Sequence, residues 1–371
     1  MPKTRIAWRL PIALVAIAAS LIGAAGAQAA SWMISNDVGT LTMDSGSDTV
    51  TVARSGANLV VSGSATVTVP ASGVARLIVD LNGKSAVVTL DGTAADLAIA
   101  DEIRVKNPGS TAVVNLKGTI KTTGVSGQIA LNAPTTLTGA TTLDAIFVGV
   151  NRAIDGAYAL TIEGETIGQA ADLGATTPLS SLTVNSTTAQ LAGSVTTSGV
   201  QTFSALTDLM LGDANVSLHA SRVTHLGMVE CSDCTGVRTL TIDVLLASPA
   251  STVSDLGGSI ANSPAGLQYR LVKAGAGTLG FGAGAYRNAF TGGTVIDGGT
   301  LNVANAHALS SGVVTVSSGA TLVSSADLTL GSPLVVNGVL SMTAAQTITA
   351  TSLSGAGAIS CGIASCGEVA V

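Results

Sequence analysis

The apolar residues of this chain arrive in pieces too short for anything but strands. Thr49-Val50-Thr51-Val52 leads into a Ser-Gly turn. Asn58-Leu59-Val60-Val61 meets Ser62-Gly63, and Ala65-Thr66-Val67-Thr68-Val69 meets Pro70. Ala86-Val87-Val88-Thr89-Leu90 stops at Asp91-Gly92, and Ala112-Val113-Val114-Asn115-Leu116 stops at Lys117-Gly118. Ser181-Leu182-Thr183-Val184 precedes Asn185-Ser186, and Gly312-Val313-Val314-Thr315-Val316 precedes Ser317-Ser318-Gly319. Each piece is rich in β-branched residues and alternates inward and outward types. Beyond the first thirty residues no segment sustains a 3.6-residue apolar period, so an all-β chain with almost no helix is expected.

Composition narrows the choice of all-β architectures. Of 371 residues, 44 are Gly, 47% are hydrophobic, 10% are charged and only 2% are aromatic. Ample apolar surface argues against disorder. Scarce Glu, Lys and Arg argue against a coiled coil, and a net charge of −6 argues against a nucleic-acid partner. A mean hydropathy of +0.55 does not make the body a membrane protein, because no apolar run after the N-terminal segment is long enough to span. A two-sheet sandwich fills its core with bulky rings, whereas a narrow solenoid core can be filled by Val, Ile, Leu and Ala. Asn and Gly recur after the strands, where corners require positive φ. These features predict a right-handed parallel β-helix, a β-solenoid with coils of roughly 20 residues. About sixteen coils, ~4.8 Å apart, would make a rod of roughly 75 Å.

Lys3, Arg5 and Arg9, the apolar stretch Leu10 to Ala25 and the small residues at Ala27-Gln28-Ala29 follow the order of a secretory signal peptide. Cleavage is expected after Ala29, and no Cys sits near it to take a lipid. Loss of the three cations makes the exported chain more acidic, which disfavours anionic lipid surfaces. The organisation expected is a signal peptide over 1–29, a solenoid body over 30–246, a loop or boundary over 247–265, further solenoid over 266–354 and a C-terminal cap over 355–371. The polar stretch Ser31 to Asp48, with Trp32, is the candidate for closing the other end.

A more specific pattern starts near Leu271. Val272-Lys273-Ala274-Gly275-Ala276-Gly277-Thr278-Leu279 is followed by Thr291-Gly292-Gly293-Thr294-Val295-Ile296-Asp297-Gly298-Gly299-Thr300-Leu301. About 50 residues here resemble the autotransporter-associated β-strand repeat, with Val295 one position early. Gly275, Gly277, Thr278, Leu279, Thr291, Gly292, Gly293, Thr294, Gly299, Thr300 and Leu301 carry the likeness. A looser similarity, over roughly 153–206, is to filamentous-haemagglutinin-like exoproteins. These resemblances imply a bacterial secreted β-helix of the passenger or adhesin type, and they carry no catalytic residues. Autotransporters end in a membrane barrel with aromatic girdles. Glu368-Val369-Ala370-Val371 and the scarcity of aromatics do not fit one, so release by another route, or residence in the periplasm, is expected.

Candidate chemistry is sparse. Cys231, Cys234, Cys361 and Cys366 are an even set, and an exported chain favours disulfides, with Cys231–Cys234 and Cys361–Cys366 as the local pairing. Cys-x-x-Cys redox catalysis lacks its βαβ context. His219, His225, Cys231 and Cys234 could form a zinc set, although the spacing fits no standard finger. Gly292 to Asp297 departs from the calcium nonapeptide at Val295. No metal and no cofactor is therefore expected. Asp91, Asp101, Glu102, Arg104 and Lys106 are the densest charged group, and solvated turns are the plain explanation. The Thr pairs Thr40/Thr42, Thr49/Thr51 and Thr66/Thr68 are too unevenly spaced for an ice-binding ladder. The function expected is display and binding by a structural or adhesin-like protein that is not an enzyme, with a glycan or cell-surface protein as partner. The alternative is a β-helical polysaccharide lyase or hydrolase. An aligned cluster of Asp, Glu and Arg in a groove would mark the enzyme, and a face of Ser, Thr and Ala the structural role.

Overall fold

Alternating side chains need one dry face, and in this chain that face is the inside of a stack of rungs. In a computed structural model, residues 30–106, 111–204, 208–211, 214–224, 229–230, 236–245, 254–255, 269–281, 288, 290–361 and 368–371 are described. They form a β-solenoid of about 11 turns, 60% strand and 1% helical. The helical part is one 3-10 turn, Ala71–Gly73. No described helix is long and apolar enough to cross a membrane.

Each turn is a triangle whose sides belong to different sheets. The first sheet stacks Val38–Met43, Arg76–Asp80, Glu102–Lys106, Gln128–Leu131, Phe147–Val150, Thr166–Gln169 and Thr188–Leu191 in parallel. The second runs in parallel from the later half of Val87–Ile99 through Ala159–Glu163 and Ser181–Asn185 to Val339–Met342 and Ala358–Cys361. The third starts at Thr49–Ser55 and the first half of Val87–Ile99, passes through Val216–Ala220, Arg238–Val244, Tyr269–Ala274 and Thr294–Ile296 and continues to Leu353–Ser354. Inward residues fall into columns: Leu77, Ile103, Ile129, Val148, Ile167 and Ala189 stand one above another and are buried. This identical register, repeated rung on rung, makes one continuous aliphatic core.

Three findings differ from expectation. The turns are fewer than sixteen because many exceed twenty residues. Asn132 bonds a carbonyl 27 residues back, whereas Asn151 bonds one rung back at 19. The stack is also not parallel throughout. Ala30–Ser35 pairs antiparallel with Val38–Met43, and Asn58–Gly63 pairs antiparallel with both Thr49–Ser55 and Val67–Pro70. Asn36 and Asp37, at φ 50 and 62, make a tight hairpin turn, and so short a connection permits only antiparallel pairing. Finally, Asp91-Gly92 and Lys117-Gly118 do not end their strands. Val87–Ile99 and Val113–Thr122 run through them, with a register shift between Gly92 and Leu97. Gly92 and Gly118 stack so closely that a side chain on either would meet backbone of the other's rung. The corner is thus turned by a bulge inside a strand.

Within 247–265 only Ser254–Asp255 is described. It pairs with Thr224 on one side and with Leu279 and Gly280 on the other, so the ladder passes through this stretch. Residues 1–29 lie outside the described residues.

Candidate functional site

The first sheet carries an exposed aromatic ring among polar side chains. Its outward side chains form two columns. Arg76, Glu102, Gln128, Phe147, Thr166 and Thr188 make one, and Arg104, Ala130, Gly149, Gly168 and Gln190 make the other. Phe147 is 42% exposed although it sits mid-sheet. A Cβ on Gly149 would stand 3.4 Å from its ring and one on Gly168 3.9 Å, so the ring leans over a strip that glycine leaves shallow. One edge of this face is an amide ladder: Asn151 Nδ2 donates to Asn132 Oδ1 at 2.7 Å, and Asn132 Nδ2 donates to the Val105 carbonyl at 2.9 Å. At the other end Glu102 is buried and held by Arg104 at 2.5 Å and Arg76 at 4.0 Å. An exposed ring with neighbouring amides and hydroxyls offers stacking and hydrogen bonding over a shallow area.

The charged group picked out in the sequence is divided by the fold. Glu102, Arg104 and Lys106 stand on the first sheet, and Asp91 stands on the third. Asp91 is bonded to Lys117 at 2.9 Å and receives Thr93 Oγ1 at 2.6 Å. Burial pushes its pKa up, but the bonds from Thr93 and Lys117 outweigh it and hold the carboxyl below the usual range. Lys106 lies opposite Asp80 in the ladder. Asp96, bonded to Lys121 at 2.5 Å, is likewise held low by that bond, and Lys121 is raised by it. The charges therefore neutralise one another between rungs. The Thr pairs also part company: Thr40 and Thr42 lie on the first sheet, Thr49 and Thr51 on the third.

The glycine-rich repeat stretch is brought into register. Thr278 lies over Thr300 and Leu279 over Leu301, and Thr321 and Leu322 follow one rung on. Thr291 and Gly292 precede the corner at Gly293, whose φ is 94, and Thr294 is buried beside Ser310 at 3.2 Å. Gly275 and Gly299 take φ of 71 and 61. Gly277 donates its N–H to the Val244 carbonyl at 2.7 Å. The corner is closed by Lys273, which is 0% exposed. Its ammonium donates to the carbonyls of Ala274, Gly275 and Gly298 at 2.6, 2.9 and 2.9 Å. Burial lowers its pKa to about 8, with the Asp243 charge opposing the fall.

Of the cysteine and histidine set, only His219 and Cys361 are described. His225, Cys231, Cys234 and Cys366 lie outside the described residues. His219 Nδ1 meets Asp243 Oδ2 at 2.6 Å on the next rung. Cys361 is bonded rather than a free thiol. Among the described residues no three His, Cys, Asp or Glu side chains gather as a metal site.

Two of these features were not legible beforehand. Phe147 belongs to no motif, although an outward Phe beside an outward Gly in the alternation Phe147-Val148-Gly149 is a usable sign of an open ring. The burial of Lys273 gave no sign, because Lys is almost never fully buried unless paired. No known protein family, curated protein or solved structure matches this chain.

Proposed function

We propose that this chain is an exported bacterial β-solenoid of structural or adhesin-like role, which acts by display and binding rather than catalysis. On this reading residues 1–29 are a signal peptide removed after Ala29. The rod winds right-handed, as nearly all parallel crossovers do, and it is secreted or held at the cell surface. Its glycine-rich stretch is a passenger-type repeat, and the bond at Cys361 is to Cys366. The partner is a glycan or a cell-surface protein that lies along the first sheet.

The observation that carries the reading is the exposed Phe147 ring on its glycine strip, flanked by Gln128, Thr166 and the Asn132–Asn151 ladder. A ring of this kind gives a sugar or a flat peptide a stacking surface without a deep pocket. The charged side chains support it from the other side, because they are engaged with each other within and between rungs.

The test is binding of the full chain to a glycan array and to cell-surface extracts, with Phe147→Ala as comparison. The variant is expected to lower apparent affinity roughly fivefold, the ~1 kcal/mol of one aromatic contact. Equal binding by both proteins, or cleavage of a bound glycan, would defeat the proposal. N-terminal sequencing of exported material should begin at Ala30.

A further inference from the structure

Four consecutive strands of the first sheet, Gln128–Leu131, Phe147–Val150, Thr166–Gln169 and Thr188–Leu191, contain no charged residue. Their outer side is graded in shape. Gln128, Phe147, Thr166 and Thr188 stand in one column, and Ala130, Gly149, Gly168 and Gln190 stand in the next. Asn132 and Asn151 come one residue beyond their strands and are bonded to each other. The nearest charge in register is Arg104, opposite Ala130, and it is already held by buried Glu102.

This face excludes several kinds of occupant. Every strand in it but the last is paired in parallel on both sides, so a peptide finds no main-chain edge to extend. An acidic chain finds no uncommitted cation. A purely apolar chain would cover the exposed Gln128, Thr166 and Gln190 and strip water from them without replacing its hydrogen bonds. What remains is a neutral chain with an apolar side and many hydroxyls. The Phe147 ring lies across Gly149 and reaches Gly168 on the next rung, so it offers a face for the C–H side of a pyranose. The amides of Gln128, Asn151 and Gln190 both donate and accept, as sugar hydroxyls do.

We infer that the first sheet binds an uncharged glycan of equatorially linked hexoses, laid across the rungs along the rod axis with one sugar stacked on Phe147. The inference rests on the display reading given above and names its partner. Rungs repeat every ~4.8 Å, and an extended chain of this linkage advances by about one rung per sugar. Successive sugars therefore meet the rungs of Gln128, Phe147, Thr166 and Gln190 in turn. Affinity is built from repeated shallow contacts, and it grows with chain length until the four rungs are covered.

The full chain is titrated calorimetrically with β-1,4-linked glucose and mannose oligomers of two to six units. β-1,4-linked mannuronate oligomers, which differ from the mannose series only in the carboxylate, are the anionic comparison. At least one neutral series is expected to bind, more tightly at four units than at two. Mannuronate should bind at least roughly tenfold more weakly, because its carboxylates meet no free cation. Phe147→Ala should weaken binding roughly fivefold at every length. Gln190→Ala, two rungs from the ring, should weaken the four-unit chain and leave the two-unit chain unchanged. Failure of both neutral series to bind, equal or tighter binding of mannuronate, or affinity that does not rise from two units to four would each overturn the inference. If the neutral oligomers do not bind while Phe147→Ala still weakens binding to cell-surface extracts, this inference falls and the display reading stands. If Phe147→Ala changes neither, both fall.

Discussion

At the scale of single residues, Lys273 shows how a backbone corner can demand a charge. Three carbonyls converge because Gly275 and Gly299 turn the chain at positive φ, and one ammonium satisfies all three. The unfolded chain holds the Lys273 proton more tightly than the folded one, at 10.5 against about 8. Stability therefore rises as pH climbs from about 8 to about 10.5, and below that window the folded state carries a penalty of roughly 3 kcal/mol. Urea unfolding at a series of pH values should show this rise in the wild type and lose it in Lys273→Met. Lys273→Ala also opens a cavity and should cost roughly 2–5 kcal/mol. At Gly299 an added Cβ would meet the Gly277 and Gly275 carbonyls at a φ that L residues avoid. Gly299→Ala should therefore lose more than about 1 kcal/mol, read from the same titrations.

At the scale of strands, the unit of stability is the column. Leu322 lies between Leu301 and Leu340 and is fully buried, so Leu322→Ala is expected to cost roughly 2–5 kcal/mol. Ile359 belongs to the same column at its open end, and Ile359→Ala should cost less than about 1 kcal/mol. Equal losses at the two sites, measured by chemical denaturation, would mean that the end is covered. Alternation was readable in the sequence here, as Ser181–Asn185 and Val314–Val316 show. The bends were not. Asp91-Gly92 has the composition of a turn that ends a strand, yet it is a bulge within one, because the rung above supplies Gly118 at the same place.

At the scale of the whole molecule, the solenoid is close to one-dimensional, and each rung rests only on its neighbours. Opening should begin at the ends. Amide hydrogens of Ala358–Cys361 are expected to exchange well before those of Thr300–Val303, as native-state hydrogen exchange would record. The lateral faces tell a second story. Charges that are dispersed in the sequence meet only across rungs: Lys117 reaches Asp91, Lys121 reaches Asp96, and His219 reaches Asp243. Such pairs lie about one coil apart, so their partners follow from coil lengths and not from local spacing.

The sequence by itself determined that this chain is all-β, that its strands are short with one dry side, and that its core is aliphatic. Those properties are written in the alternation and in the near absence of aromatic rings, which are local facts. Only the tertiary structure decided that Ala30–Ser35 and Asn58–Gly63 pair antiparallel at the N-terminal end, that Lys273 is interior, that Phe147 lies open over glycine, and that the charged residues split between faces. Each of these depends on which residue lies one rung above or below. A coil whose length varies, from 18 residues between Leu322 and Leu340 to 38 between Val38 and Arg76, hides that neighbour from any inspection of adjacent positions.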